Sequence, residues 1–196
     1  MSRKKRYPPR TPRFAAGIRA QETRAGGGRT WWAKRWLEAI EPMGIGGRLA
    51  RGRLYAASGQ VVSLTLAGPR VEASVVGGRP EPYHVAMTFR TPDDGALARI
   101  AAALKAEPML VARLLADDLP MEAEALFRRE GVGLFPGGKL APGVYDVTTS
   151  CSCPDYANPC KHSCAVLLLL GEEVARRPLT LLELRGLRTE DLVDEG

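Results

Sequence analysis

A chain of 196 residues, 45% of them apolar, is long enough to bury a core, as one domain with appendages or as two small ones. The formal net charge of +6 is spread unevenly: residues 1–53 hold fourteen Lys and Arg against three Asp and Glu, and the remaining residues hold fourteen against nineteen. The longest apolar run, residues 164–170, is too short to span a bilayer, and the N-terminus lacks the apolar stretch of a secretion signal, so a reduced, cytoplasmic setting is expected.

Residues 1–13 carry six cations, among them Arg3, Lys4, Lys5 and Arg6, together with three prolines and little apolar content. Such a segment does not fold alone and suits an anionic partner as well as it suits bulk solvent. With the Gly-rich stretch that follows, residues 1–29 read as a disordered basic tail and linker. Thr30 is placed to cap a short amphipathic helix carrying Trp31, Trp32, Trp36, Leu37 and Ile40, whose spacing favours one buried face over base stacking. Residues 48–90 read as a four-stranded β-meander: 49–55, 61–66, 71–76 and 83–89, divided by Ser58-Gly59, Gly68-Pro69 and Gly77-Gly78. Arg48, Arg51 and Arg53 would then project from the first strand as a candidate phosphate-facing strip, or as an ordinary solvated face. His84 is a lone histidine in a strand and is not expected to bind metal.

Residues 91–136 read as helical. Leu97, Ile100 and Leu104 mark one helix, Leu110, Val111 and Leu114 a second, and Pro120 suits the start of a third carrying Leu126 and Phe127. Leu134 and Phe135 anchor a loop. Residues 144–149 then read as a strand, and residues 164–170 begin an apolar helix that ends at Arg176-Arg177-Pro178. A leucine-rich helix with Leu179, Leu182, Leu184 and Leu187 follows, expected to pack into the core.

Between that strand and that helix lies the most specific chemistry of the chain: Cys151-Ser-Cys153, six residues rich in turn formers, then Cys160-Lys-His162. Zinc takes four ligands in a tetrahedron, with sulfur at ~2.3 Å and imidazole nitrogen at ~2.0–2.1 Å. Two Cys-X-Cys or Cys-X-His pairs, folded toward each other by a turn, satisfy that demand. Competing readings are a disulfide, an iron–sulfur cluster using Cys164 in place of His162, and metal-free reactive thiols. Cys164, one helical turn after Cys160, reads more simply as a small buried residue.

These residues resemble the SWIM zinc finger, in its bacterial form. Cys151, Cys153, Cys160 and His162 match its Cys-X-Cys and Cys-X-His ligands, and Pro154-Asp155 and Asn158-Pro159-Cys160-Lys161-His162 resemble bacterial members. The upstream Trp31-Trp32-Ala-Lys-Arg-Trp36 and Gly52-Arg53-X-Tyr55 segments extend the similarity over roughly residues 30–190. The resemblance implies one structural zinc on those four residues, and a module that binds DNA or protein and associates with a helicase-like remodelling ATPase. No phosphate-cradling loop, nucleophile elbow or metalloprotease histidine pair is present, so no enzyme is expected. The expectation is therefore an α+β protein: tail and linker over 1–29, Trp-rich helix and β-meander over 30–90, helical segment over 91–136, zinc-stapled strand–knuckle–helix with a leucine-rich helix over 137–196. Nucleic acid, DNA above all, and a protein partner are the expected ligands; a pure protein–protein adaptor is the alternative.

Overall fold

The computed structural model describes residues 11–21, 30–43, 47–137, 139–141 and 144–193. Helix α1 (Trp31–Ile40) leads through a short 3-10 turn to α2 (Arg48–Ala57). Strands β1 (Val61–Ala67), β2 (Arg70–Val75) and β3 (Tyr83–Phe89) follow, then helices α3 (Asp94–Lys105), α4 (Pro108–Leu115) and α5 (Met121–Arg129). The short strands β4 (Lys139–Ala141) and β5 (Val144–Tyr145) pair with each other. Strand β6 (Val147–Cys151) precedes the long helix α6 (Lys161–Arg176) and the short α7 (Leu179–Leu184). This is an α+β fold. Its antiparallel sheet runs in the order β1-β2-β3-β6, so the strand that ends at the zinc knuckle completes the meander.

Helix α6 is the centre of the molecule. Every residue from His162 to Gly171 is buried, as a helix must be when it is apolar on all sides. It packs against α1, α2, α7 and the sheet strands β1, β3 and β6. The tryptophan stripe is core, as its spacing predicts: Trp32 and Trp36 are buried, and both indoles donate into α6, Trp36 to the Leu167 carbonyl at 3.1 Å and Trp32 to the Ala175 carbonyl at 3.3 Å. Thr30 stands at the α1 N-cap, although its side chain makes no capping bond. The Leu179, Leu182, Leu184 and Leu187 side chains are also buried, so the leucine-rich end is part of the core.

One predicted strand is a helix. Residues 49–55, expected as the first strand of a four-stranded meander, lie in α2, and three strands of the meander remain. The buried positions Leu49, Gly52, Tyr55 and Ala56 recur every three or four residues, which is the helical period, and they face α6. Glycine at position 52 lowers helix propensity, which favoured the strand reading. Its presence has a packing cause: a Cβ there would lie 2.6 Å from the Cys164 Cβ and 3.0 Å from the Ala165 nitrogen. Gly52→Ala is therefore expected to lower the melting temperature. The ~1 kcal/mol gained in helix propensity is outweighed by overpacking against rigid backbone, about 1–3 kcal/mol. A rise in melting temperature would mean that the two helices are free to separate.

Residues 11–21, within the stretch read as tail and linker, run against the sheet edge. Ile18 N–H donates to the Val61 carbonyl at 2.7 Å, Gly17 to Gly59 at 2.9 Å and Ala20 to Ala56 at 3.0 Å. Arg3, Lys4, Lys5 and Arg6 lie outside the described residues. The expected helices of residues 91–136 form as α3, α4 and α5, with Pro120 one residue ahead of the third, at its N-cap.

A buried ion pair locks the C-terminal end onto this frame. Arg185, 1% exposed, spends its five N–H donors on five acceptors. Two go to the Asp146 carboxylate at 2.7 and 2.9 Å, and the others go to the carbonyls of Arg90, Leu134 and Phe135. Asp146 accepts further from the Gly137 N–H. One side chain thus ties the exit of β3, the loop anchored by Leu134 and Phe135, and the entry to β6.

Candidate metal centre

The knuckle is built where β6 ends and α6 begins. Cys151 is the last residue of β6, held opposite Val85 of β3. Cys160 is the N-cap of α6, and His162 is its second residue. The Cys160 sulfur accepts from the Ser163 N–H at 3.5 Å and lies 3.6 Å from the Ser163 hydroxyl. A thiolate is favoured in this position, because the unpaired N–H groups and the dipole of a 16-residue helix both point at it. The loop between the pairs is folded back at two points. Asn158 exchanges hydrogen bonds with Thr149 of β6, through both the Thr149 hydroxyl and its carbonyl. Asp155 accepts from the Ala157 N–H at 3.2 Å and pairs with Arg48 of α2 at 3.2 Å.

The result brings Cys151, Cys153, Cys160 and His162 together, with all four ligand atoms within 4.8 Å of one another. The His162 Nδ1 lies 3.7 Å from both the Cys151 and the Cys160 sulfurs. Tetrahedral zinc with ordinary bond lengths separates sulfur from nitrogen by about 3.6 Å, so Nδ1 is the atom aimed at the ion. Hydrogen bonds from Cys151 and Cys153 hold the Cys160 thiol far below its usual range, while those with Cys153 and Cys160, and burial, push the Cys151 thiol up. Three thiolates share this space only around a cation. The donor set and its spacing fit one structural zinc, and four protein ligands leave that ion no open position for a reacting water. Cys164 is not part of the cluster. It is buried against α2 beside Gly52, and burial, then the nearby Cys160 charge, push its thiol up to about 12.

The ring of His162 is held by aromatics. Tyr83 lies 4.6 Å away, tilted by 31°, and Tyr55 meets it edge-on at 5.2 Å. Its Nε2 is buried and makes no hydrogen bond among the described residues. Zinc-binding histidines usually donate that N–H to a carboxylate or carbonyl; here ring packing fixes the orientation instead. Gly77 leaves the room for it, since a Cβ there would lie 2.5 Å from the Tyr83 ring and 3.4 Å from Nε2. The sequence reading missed both tyrosines. Tyr83 was legible only as one inward position of an alternating strand, and Tyr55 sat in the segment misread as extended.

Cations surround the centre. Lys161 lies 5.5 Å over the Tyr55 ring, Arg79 lies 5.6 Å over Tyr83, and Arg48 lies 5.5 Å over Tyr156. Of the three arginines expected to line a strand, Arg48 is buried with Asp155, Arg51 is exposed and Arg53 half-buried, all on α2. Partial burial pushes the Asp155 carboxyl up, but the hydrogen bonds from Arg48 and the Ala157 N–H, with the Arg48 charge, outweigh it and hold the carboxyl below its ordinary value. His84 is exposed and outside the cluster.

Comparison with known proteins agrees with this geometry. Residues 144–171, from β5 through the first eleven residues of α6, match the family model described as the SWIM zinc finger. The chain is 37% identical over 187 residues to an uncharacterized protein of Mycobacterium tuberculosis, Rv2102. The alignment covers 95% of this chain and 66% of that protein. No solved structure matches the chain. The segment from β5 into α6 is a SWIM zinc finger, stapling the last strand of the sheet to the central helix. No helix among the described residues is long and apolar enough to cross a membrane.

Proposed function

We propose that this protein is a non-enzymatic, zinc-stapled module that binds nucleic acid, DNA above all, through the cationic surface beside the knuckle. One observation carries the reading: Arg79 and Lys161, from the turn before β3 and the head of α6, stand over the two tyrosines that flank His162, and α2 adds the exposed Arg51. Three thiolates and one divalent ion leave the metal centre with a single net negative charge. Several cations exceed what is needed to offset it, and the surplus suits phosphate. The basic tail, with Arg3, Lys4, Lys5 and Arg6, adds charge to the same chain. Arg53, two residues on from Arg51, lies on a different side of α2, and Arg48, engaged by Asp155, serves to hold the loop.

The test is a binding titration with random-sequence DNA over a range of salt. Each phosphate contact contributes ~0.9 to the log–log slope on duplex and ~0.7 on single strands. Deleting residues 1–10, which removes five cations and leaves the Arg13 N–H bonded to the Gly77 carbonyl, is expected to flatten the slope by two or more contacts while zinc content and melting temperature stay unchanged. Intact protein that binds no nucleic acid near physiological salt would contradict the reading. The adaptor function would then be the better one, and its surface would not be the leucine-rich end, which is buried. Association with a helicase-like remodelling ATPase rests on the family resemblance. Recovery of such an ATPase from nuclease-treated native extract is the test of it.

A further inference from the structure

Tyr156 is the aromatic residue of the knuckle, and zinc binding does not use it. It lies between the two ligand pairs and is 86% exposed. The residues around it are fixed: Asp155 is held by Arg48 and the Ala157 N–H, and Asn158 by Thr149 of β6. A large aromatic carried on a loop clamped from both sides loses little freedom when something packs on it. The Arg48 guanidinium stands 5.5 Å from the ring centroid, so the ring is already part of a stacked cation–aromatic pair. The only carboxylate of the loop, Asp155, is engaged by that same arginine and does not repel an incoming anion at full strength.

We infer that Tyr156 is a stacking platform for one base of an unpaired nucleic-acid strand, with Lys161, at the head of the helix into which the loop leads, meeting an adjoining phosphate. A single protruding ring beside a fixed guanidinium suits a splayed base. It does not suit a duplex, whose bases are already stacked on one another. The inference rests on the nucleic-acid reading above and narrows it to single strands.

The experiment is fluorescence anisotropy of the intact zinc-loaded protein with labelled oligo-dT, oligo-U and a duplex of equal length. Tyr156→Ala and Tyr156→Leu should each weaken single-strand binding about tenfold, the scale of one stacked base, and Tyr156→Phe should retain it. The salt slope should stay unchanged in all three, because stacking involves no counterion, and Lys161→Ala should flatten it by ~0.7. Oligo-dT and oligo-U responding alike places recognition on the ring and phosphates; a loss confined to one of them still requires the ring. Because Tyr156 is exposed, zinc content is expected to be normal in every variant, and it is measured alongside. Two results overturn the inference. If single-strand binding persists unchanged in Tyr156→Ala, the platform is wrong, the nucleic-acid reading stands, and the ring fits a protein pocket instead. If the unmodified protein binds none of the three probes, both readings fall together.

Discussion

His162→Ala is expected to release the zinc and to open the segment from Cys151 to the first turn of α6. Metal-binding energy is folding energy where the site forms only on folding, and it reaches ~10 kcal/mol in small zinc domains. That is comparable with the whole stability of an ordinary domain, ~5–15 kcal/mol. Cys153→Ser should act alike. The opening should be local at first, because the rest of α6 is held independently by Trp32, Trp36 and the sheet. Hydrogen exchange should therefore show lost protection around the knuckle before any loss near Leu167. Cys164→Ala removes one buried sulfur outside the cluster and should cost only about 1 kcal/mol, with zinc retained. If Cys164→Ala strips the metal while His162→Ala keeps it, the ligand assignment is wrong.

Arg185→Leu should destabilise the protein by about 3–5 kcal/mol, the range for removing one partner of a buried ion pair. The substitution strands the Asp146 carboxylate, itself buried, together with the carbonyls of Arg90, Leu134 and Phe135. Arg185→Lys should recover little, since an ammonium has three donors and no planar fork to meet five acceptors. Chemical denaturation measures both. Because Asp146 lies one residue before β6, the loss should also weaken zinc retention, although no ligand is touched. Near-normal stability in Arg185→Leu would show that the five hydrogen bonds only offset the cost of burying the charge.

What the sequence could reveal divides along physical lines. The knuckle was legible because metal chemistry compresses four ligands into twelve residues, Cys151 to His162. Helices α3 to α5 and strands β2 and β3 were legible because each buries a periodic face, and α6 because its apolar run is continuous. Helix α2 was not, since Gly52 spoils its local propensity for the sake of contact with Cys164, over a hundred residues away. The pairs Arg185–Asp146 and Arg48–Asp155 join positions 39 and 107 residues apart and leave no local periodicity to read. The tyrosines around His162 were hidden for the same reason: their role depends on strand register and helix placement. Residues 11–21 look like linker by composition, yet their backbone groups pair with Gly59, Val61 and Ala56, an interaction that requires no side-chain signal.

The central claim, that one zinc ion staples β6 to α6, is tested most directly by elemental analysis of the purified protein under reducing conditions. One zinc per chain, lost together with knuckle protection when a chelator is added, is the expected result. Iron accompanied by inorganic sulfide, or a fully folded knuckle with no metal, would contradict it.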